Sequence, residues 1–215
     1  MLEGTVEHAD SLGNTGDLNA GDVQWMTAAR GIIHSEMPQQ TEGRMRGFQL
    51  WLNLPAKLKL TPPRYQDTPA AQIPEVDLDG EGSRVRIIAG TVGDTNAVID
   101  THTPITFLHV TLQPGAAFTH AVPPSQNAMA YVISGSGQFG ENAQTAAAGQ
   151  LAVFANDAET VTASALPDAP LDLLVLAGEP LNEPVVRYGP FVMNTQEEIL
   201  QGFQDYQSGK MGVIS

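Results

Sequence analysis

Cysteine is absent from this 215-residue chain. That absence removes disulfides, zinc–thiolate sites, iron–sulfur clusters and cysteine nucleophiles from consideration. Any metal must then be held by histidine and carboxylate side chains. Basic residues are scarce: ten Lys and Arg stand against 24 Asp and Glu, a formal net charge of −14. Such a surface repels phosphate backbones, so direct nucleic-acid binding is not expected. The charge reads first as a solvated surface that keeps the chain soluble. No stretch offers the long uncharged apolar run of a membrane span. The opening residues, MLEGTVEHAD, have neither the basic nor the apolar segment of a signal peptide. A cytoplasmic location is the expectation.

What is present is 42% hydrophobic residues, enough for one large domain or two small ones with cores of their own. Most of the chain reads as short strands separated by Gly, Asn, Asp and Pro. GTVEHAD alternates, with Val6, His8 and Asp10 on one face. SLGNTGDLNAGD is rich in turn residues, DVQWMTA and GIIHSEM read as strands, and RGFQLWLNLP alternates Phe48, Leu50 and Leu52 against Gln49, Trp51 and Asn53. Residues 55–80, with many prolines and little periodicity, read as an extended connection between two domains. A second β series follows in SRVRIIAG, ITFLHVTLQPG, NAMAYVISGSGQFG, GQLAVFAND and LDLLVLAGEP, with AQTAAAGQ as a turn region. Strands and turns at this spacing predict sandwiches or barrels.

The tail changes period. Thr195 followed three residues later by Glu198 is a capping box. Ile199, Leu200, Phe203 and Tyr206 then form an apolar stripe at helical spacing, and Gly209 is a stop signal.

The chemistry-bearing stretch is GDVQWMTAARGIIHSEMP, residues 21–38, where His34 and Glu36 stand two apart and so share a strand face. Imidazole and carboxylate suit iron, nickel, copper, manganese or zinc. The alternative is two hydrogen-bonded polar residues at a strand end. Gln24 and Met26 alternate faces with Trp25, so either side can line a cavity, while Trp25 and Trp51 read foremost as packing residues. His109 alternates with apolar neighbours, which predicts a structural role; His120 stands alone, without a second His beside it.

LEGTVEHADSLGN, GDVQWMTAARGIIHSEMP and FQLWLNLP, with LAGEPLNEPVVRYGPFVMNTQEEI near the end, resemble the pirin family of bicupins. The resemblance implies an all-β fold of two cupin (jelly-roll) barrels with a C-terminal helix. It implies residues 1–60 as the remainder of an N-terminal cupin and 61–83 as a connecting segment. A C-terminal cupin over 84–180 and a tail with a helix over 181–215 complete the division. It also implies one metal, usually Fe(II), in the N-terminal barrel, held by an H-x-H pair plus the His and Glu of an H-[AS]-E-[MY] motif. The last two map onto His34 and Glu36, with Glu36 the catalytic base; His8, Gln24 and Trp25 are cavity residues or neighbours that orient the ligands. The family's H-x-H pair lies on the strand before the LEG stretch, which here is residues 2–4. The expectation is an N-terminal barrel that is incomplete, a chain lacking its N-terminal portion, and weak metal binding, because two ligands seldom hold a transition metal tightly. The second cupin is expected to be metal-free.

Three functions follow from the resemblance. The first is a quercetinase-type dioxygenase, which opens the central ring of a flavonol with dioxygen and releases carbon monoxide. The second is a metal-responsive regulatory protein that works through a protein partner without catalysis. The third is a product without activity, for want of the H-x-H motif.

Overall fold

The computed structural model describes residues 1–39 and 42–214. The chain forms two compact units, one of Met1–Ala70 with Leu181–Ser215 and one of Ala71–Pro180. The division falls inside the 61–83 segment, and the tail belongs to the first unit.

In the first unit, strands β1 (Val6–Asp10), β2 (Thr15–Leu18), β3 (Val23–Thr27), β4 (His34–Pro38) and β5 (Arg64–Thr68) form two small sheets. One is three-stranded in the order β2-β1-β4; the other pairs β3 with β5. The turn between β1 and β2 is set by Asp10, whose Oδ1 accepts the Leu12 and Asn14 amides at 2.7 and 3.0 Å. Aspartate favours such turns because its carboxylate can bond the backbone two residues on. Strand β5 lies within the stretch read from sequence as an extended connection. Only five residues long and flanked by Pro62 and Pro63, it shows no aliphatic alternation, and its pairing with β3 gives it its conformation. The opposite departure occurs at Phe48, Leu50 and Leu52. Their alternation predicts a strand, but among the described residues this segment has only the isolated bridge Glu3–Arg46 beside it.

The second unit contains β6 (Glu75–Asp77), β7 (Arg84–Ala89), β8 (Thr91–Val92), β9 (Thr95–Asn96), β10 (Ile105–Leu112) and β11 (Ala117–Ala121). It continues with β12 (Asn127–Ser134), β13 (Ser136–Phe139), β14 (Gln144–Ala147), β15 (Leu151–Val153), β16 (Thr160–Ala165) and β17 (Leu171–Gly178). A six-stranded sheet, β15-β12-β17-β10-β7-β6, faces a four-stranded one, β11-β16-β13-β14. Alternation does the work here. Leu108, Val110 and Leu112 of β10 and Leu171, Leu173 and Val175 of β17 point inward onto Phe118, Phe139, Val161 and Ala163. Each such Leu or Val stabilises the fold by about 1.5–3 kcal/mol relative to exposure. AQTAAAGQ, read as a turn region, instead carries β14, which pairs with β13 across a tight connection. Gly135 sits between β12 and β13 with φ +79°, and a Cβ there would lie 2.1 Å from the Pro170 carbonyl oxygen. Only glycine permits that crossing.

The first unit ends with the hairpin β18 (Val186–Tyr188) and β19 (Phe191–Met193), then helix α1 (Gln196–Gln207). The capping box forms as its spacing predicts: the Thr195 hydroxyl accepts the Glu198 amide at 3.2 Å and the Glu198 carboxylate accepts the Thr195 amide at 2.9 Å. The helix stops at Gly209, φ +75°. Lys210 N–H bonds Asp205 O and Gly209 N–H bonds Tyr206 O, the pair of bonds that closes a helix through a left-handed glycine. The apolar stripe is only half used: Ile199 is buried, whereas Leu200 and Tyr206 are exposed. Phe203 packs edge-on against Phe191, ring centroids 4.9 Å apart.

Candidate functional site

The site is built on the antiparallel pair β1–β4, in which His8 stands opposite Glu36 and Asp10 opposite His34. Residues directly opposite, and those two apart along a strand, share a face. The register therefore gathers His8, Asp10, His34 and Glu36 on one side of the sheet. His34 Nδ1 lies 3.7 Å from Glu36 Oε1, with both side chains partly exposed. The Gln49 amide donates to both Glu36 oxygens at 3.3 Å. His8 is buried at 3% exposure, its ring 5.9 Å from that of His34.

Asp10 holds the base of the cluster. Burial pushes its carboxyl up, but bonds from the Asn14 side chain, the Asn14 and Leu12 amides, and the nearby His8 outweigh this and leave it below the ordinary carboxylate value. The lead-in to β4 is fixed from the tail. The Ser11 hydroxyl donates to the Met211 carbonyl at 2.6 Å and accepts the Ile33 amide at 3.1 Å, one residue before His34.

Tyr65 is the residue that sequence reading missed. It faces Met26 across β3–β5, its hydroxyl donates to Met26 Sδ at 2.6 Å, and its ring lies on His8 with centroids 4.6 Å apart. Burial, together with the charges of Asp10, Glu36 and Asp67, pushes its phenol above the ordinary value and keeps it protonated. Its only signal was position two before Asp67 in a five-residue strand without aliphatic alternation. Gln24 shares the Met26 face but is spent on Asp67, to which its amide donates at 2.9 Å. Trp25 stands opposite Gln66 and points to the other face. In the second unit, His109 Nε2 lies 2.8 Å from Asp172 Oδ1, and His120 stacks on Phe118 with ring centroids 6.0 Å apart.

Residues 1–52 match the family described as Pirin, and residues 107–212 match the Pirin C-terminal cupin domain. A pirin-like protein of Solanum lycopersicum is 42% identical over 212 residues, which cover 99% of this chain and 72% of that protein. The chain belongs to the pirin family. Pirin-1 of Arabidopsis thaliana is likewise 42% identical, over 99% of this chain and 73% of its own length. Among solved structures, a quercetin 2,3-dioxygenase from Acinetobacter baumannii shares 34% identity with a TM-score of 0.88, covering 99% of this chain and 74% of that one.

The pirin-family site can be tested for a metal on its own atoms. Nδ1 of His8 and Nδ1 of His34 are buried without a hydrogen-bond partner, and His8 Nε2 comes no nearer to one than Asp10 Oδ2 at 3.6 Å; buried polar atoms call for a partner. Imidazole nitrogen beside carboxylate is a donor set that borderline metals take. The residues fit in kind, with His34 and Glu36 as two donors. Among the described residues no group of three or more His, Cys, Asp or Glu side chains gathers that could hold an ion. Among those same residues, no helix is long and apolar enough to cross a membrane.

Proposed function

We propose that this pirin-family chain serves a quercetinase-type dioxygenase reaction, opening a flavonol-like aromatic ring with dioxygen. The observation that carries the reading is the unpartnered His34 Nδ1 at 3.7 Å from the Glu36 carboxylate, in a chain similar to a quercetin 2,3-dioxygenase over nearly its whole length. His34 and Glu36 would hold the metal, Fe(II) in the first instance, with nickel, copper, manganese or zinc as other occupants of such a donor set. When bound, the metal supplies Lewis acidity toward the flavonol oxygens.

The chain's own residues do the rest. Glu36 is partly exposed and accepts the flavonol hydroxyl proton, and the Gln49 amide orients its two oxygens. His8 and Tyr65 form a packed wall behind the pair. Tyr65, kept protonated, brings no negative charge to that wall. The proposal places the chain in the cytoplasm, in keeping with a sequence free of cysteine.

A second reading is favoured by one feature. Leu50, Trp51 and Leu52 are exposed at 42, 66 and 44%, an apolar run suited to a protein partner. In that reading the metal site regulates binding and no turnover occurs.

Elemental mass spectrometry on the purified chain, with His34→Ala and Glu36→Gln beside it, tests the proposal. The expected result is weak binding, seen as metal retained under excess iron(II) and lost in His34→Ala. Flavonol consumption and carbon monoxide release are expected to depend on that metal and to fall at least about 100-fold in Glu36→Gln. Metal without turnover transfers the site to the regulatory reading. Absence of metal from the iron-loaded wild-type chain, or turnover that survives in both variants, sinks the proposal.

A further inference from the structure

Strand β15 (Leu151–Val153) is the edge of the six-stranded sheet, and β14 (Gln144–Ala147) is the edge of the four-stranded one. Between these edges lies a groove of about 530 Å³, lined by both strands, by Glu141 and Asp157, and by Thr160 and Thr162 of β16. Among the described residues, the backbone of β15 is paired on one side only. Gln150 O accepts from Val132, Phe154 N–H donates to Ala128 O, and Ala152 pairs with Ala130 of β12. In an antiparallel ladder the alternate residues face the other way. The N–H and C=O groups of Leu151 and Val153 therefore point away from β12, toward the groove. Their side chains are 50 and 73% exposed. An edge with free backbone groups is a template for another strand.

Charge says what that strand carries. Residues 71–180 contain twelve Asp and Glu but only Arg84 and Arg86 as basic side chains, and from Ile87 through Val186 there is no Lys or Arg at all. Glu141 and Asp157 are thus exposed at the groove without a cation in a hundred residues of their own sequence. A second copy of this chain would bring the same negative surface, and each chain has a net charge of −14. Like charges across an interface disfavour it.

We propose that the groove along β15 takes an extended, basic segment of a protein partner, which adds as a strand to the six-stranded sheet with its Lys or Arg side chains on Glu141 and Asp157. Backbone bonds to Leu151 and Val153 supply affinity, and the carboxylates supply selectivity. This proposal is independent of the metal chemistry at His34 and Glu36.

The test uses the full 215-residue chain and a fluorescent peptide of about six residues alternating lysine and valine, long enough to cover the edge strand. A glutamate–valine peptide of the same length is the control. The expected result is binding of the lysine peptide only, weakening with salt, and slowed amide exchange at Leu151 and Val153. Val153→Pro removes an outward N–H while leaving the bonds to β12 in place, and is expected to weaken binding at least about tenfold. The surface double variant Glu141→Lys with Asp157→Lys is expected to do the same without altering the melting temperature. Undetectable binding, equal binding of the glutamate peptide, indifference to the double variant, or exchange protection elsewhere would each overturn the proposal. Self-association that disappears in Val153→Pro would also overturn it, by making the occupant a second copy.

Discussion

His120 shows how a residue's neighbours decide its chemistry. In sequence it is one lone histidine among five; in the fold it lies half-buried on β11, stacked against Phe118. Burial disfavours its charged form and lowers its pKa below the ordinary 6.5. In the unfolded chain the same ring protonates near 6.5. The unfolded state therefore binds more protons as pH falls below that value, and the native state is penalised. The contribution is fully present above pH 6.5 and is lost as pH drops through the lower native value. Thermal melts of wild type and His120→Gln between about pH 7.5 and 5 are expected to show a steeper acid loss in wild type. Parallel curves would remove the assigned cause. Tyr65 makes a related point. Its role depends on a ring contact with His8, 57 positions away in sequence, and no local pattern announces such a contact.

At the scale of elements, α1 is the one whose boundaries were fully written in its residues. Thr195 and Glu198 bond each other's backbone amides, and Gly209 adopts the left-handed conformation that ends the helix. Both signals act within one turn, so nothing distant is needed. Thr195→Ala should destabilise the first unit by about 1 kcal/mol, read as a lower urea midpoint with an unchanged slope; Thr195→Ser should restore it. Strands were less legible because a strand needs a partner. Among the described residues, the segment of Phe48, Leu50 and Leu52 alternates without forming a strand, whereas Arg64–Thr68 lacks the alternation and forms one. The exposed Leu200 and Tyr206 show the same limit in a helix: the period marks an apolar face, and packing decides how much of it is covered.

Across the whole molecule, charge is the dominant bias. A chain with a net charge of −14 repels itself, and the excess is concentrated in residues 71–180, where twelve acidic side chains meet two arginines. Among the described residues, Arg84–Glu75 at 3.6 Å, Arg46–Glu3 at 3.5 Å and Lys210–Asp205 at 2.6 Å are surface pairs worth little each. Screening should therefore stabilise the fold. Calorimetry is expected to show the melting temperature rising by a few degrees, about 2–5 °C, between 0.02 and 0.3 M sodium chloride. A fall over the same range would mean that ion pairs outweigh self-repulsion.

The amino-acid sequence by itself determined the β class, the helix with its caps, the exclusion of every thiol-based chemistry, and the shared face of His34 and Glu36. Each of these rests on composition or on contacts within a few residues along the chain. Tertiary structure alone decided the rest. The register of β1 on β4 set His8 opposite Glu36; the pairing of β3 with β5 delivered Tyr65 and turned Trp25 away; and the end of the six-stranded sheet left β15 with one side free. These depend on pairings between segments far apart in the chain. A strand's alternation states which residues share a face, and only its partner determines what that face meets.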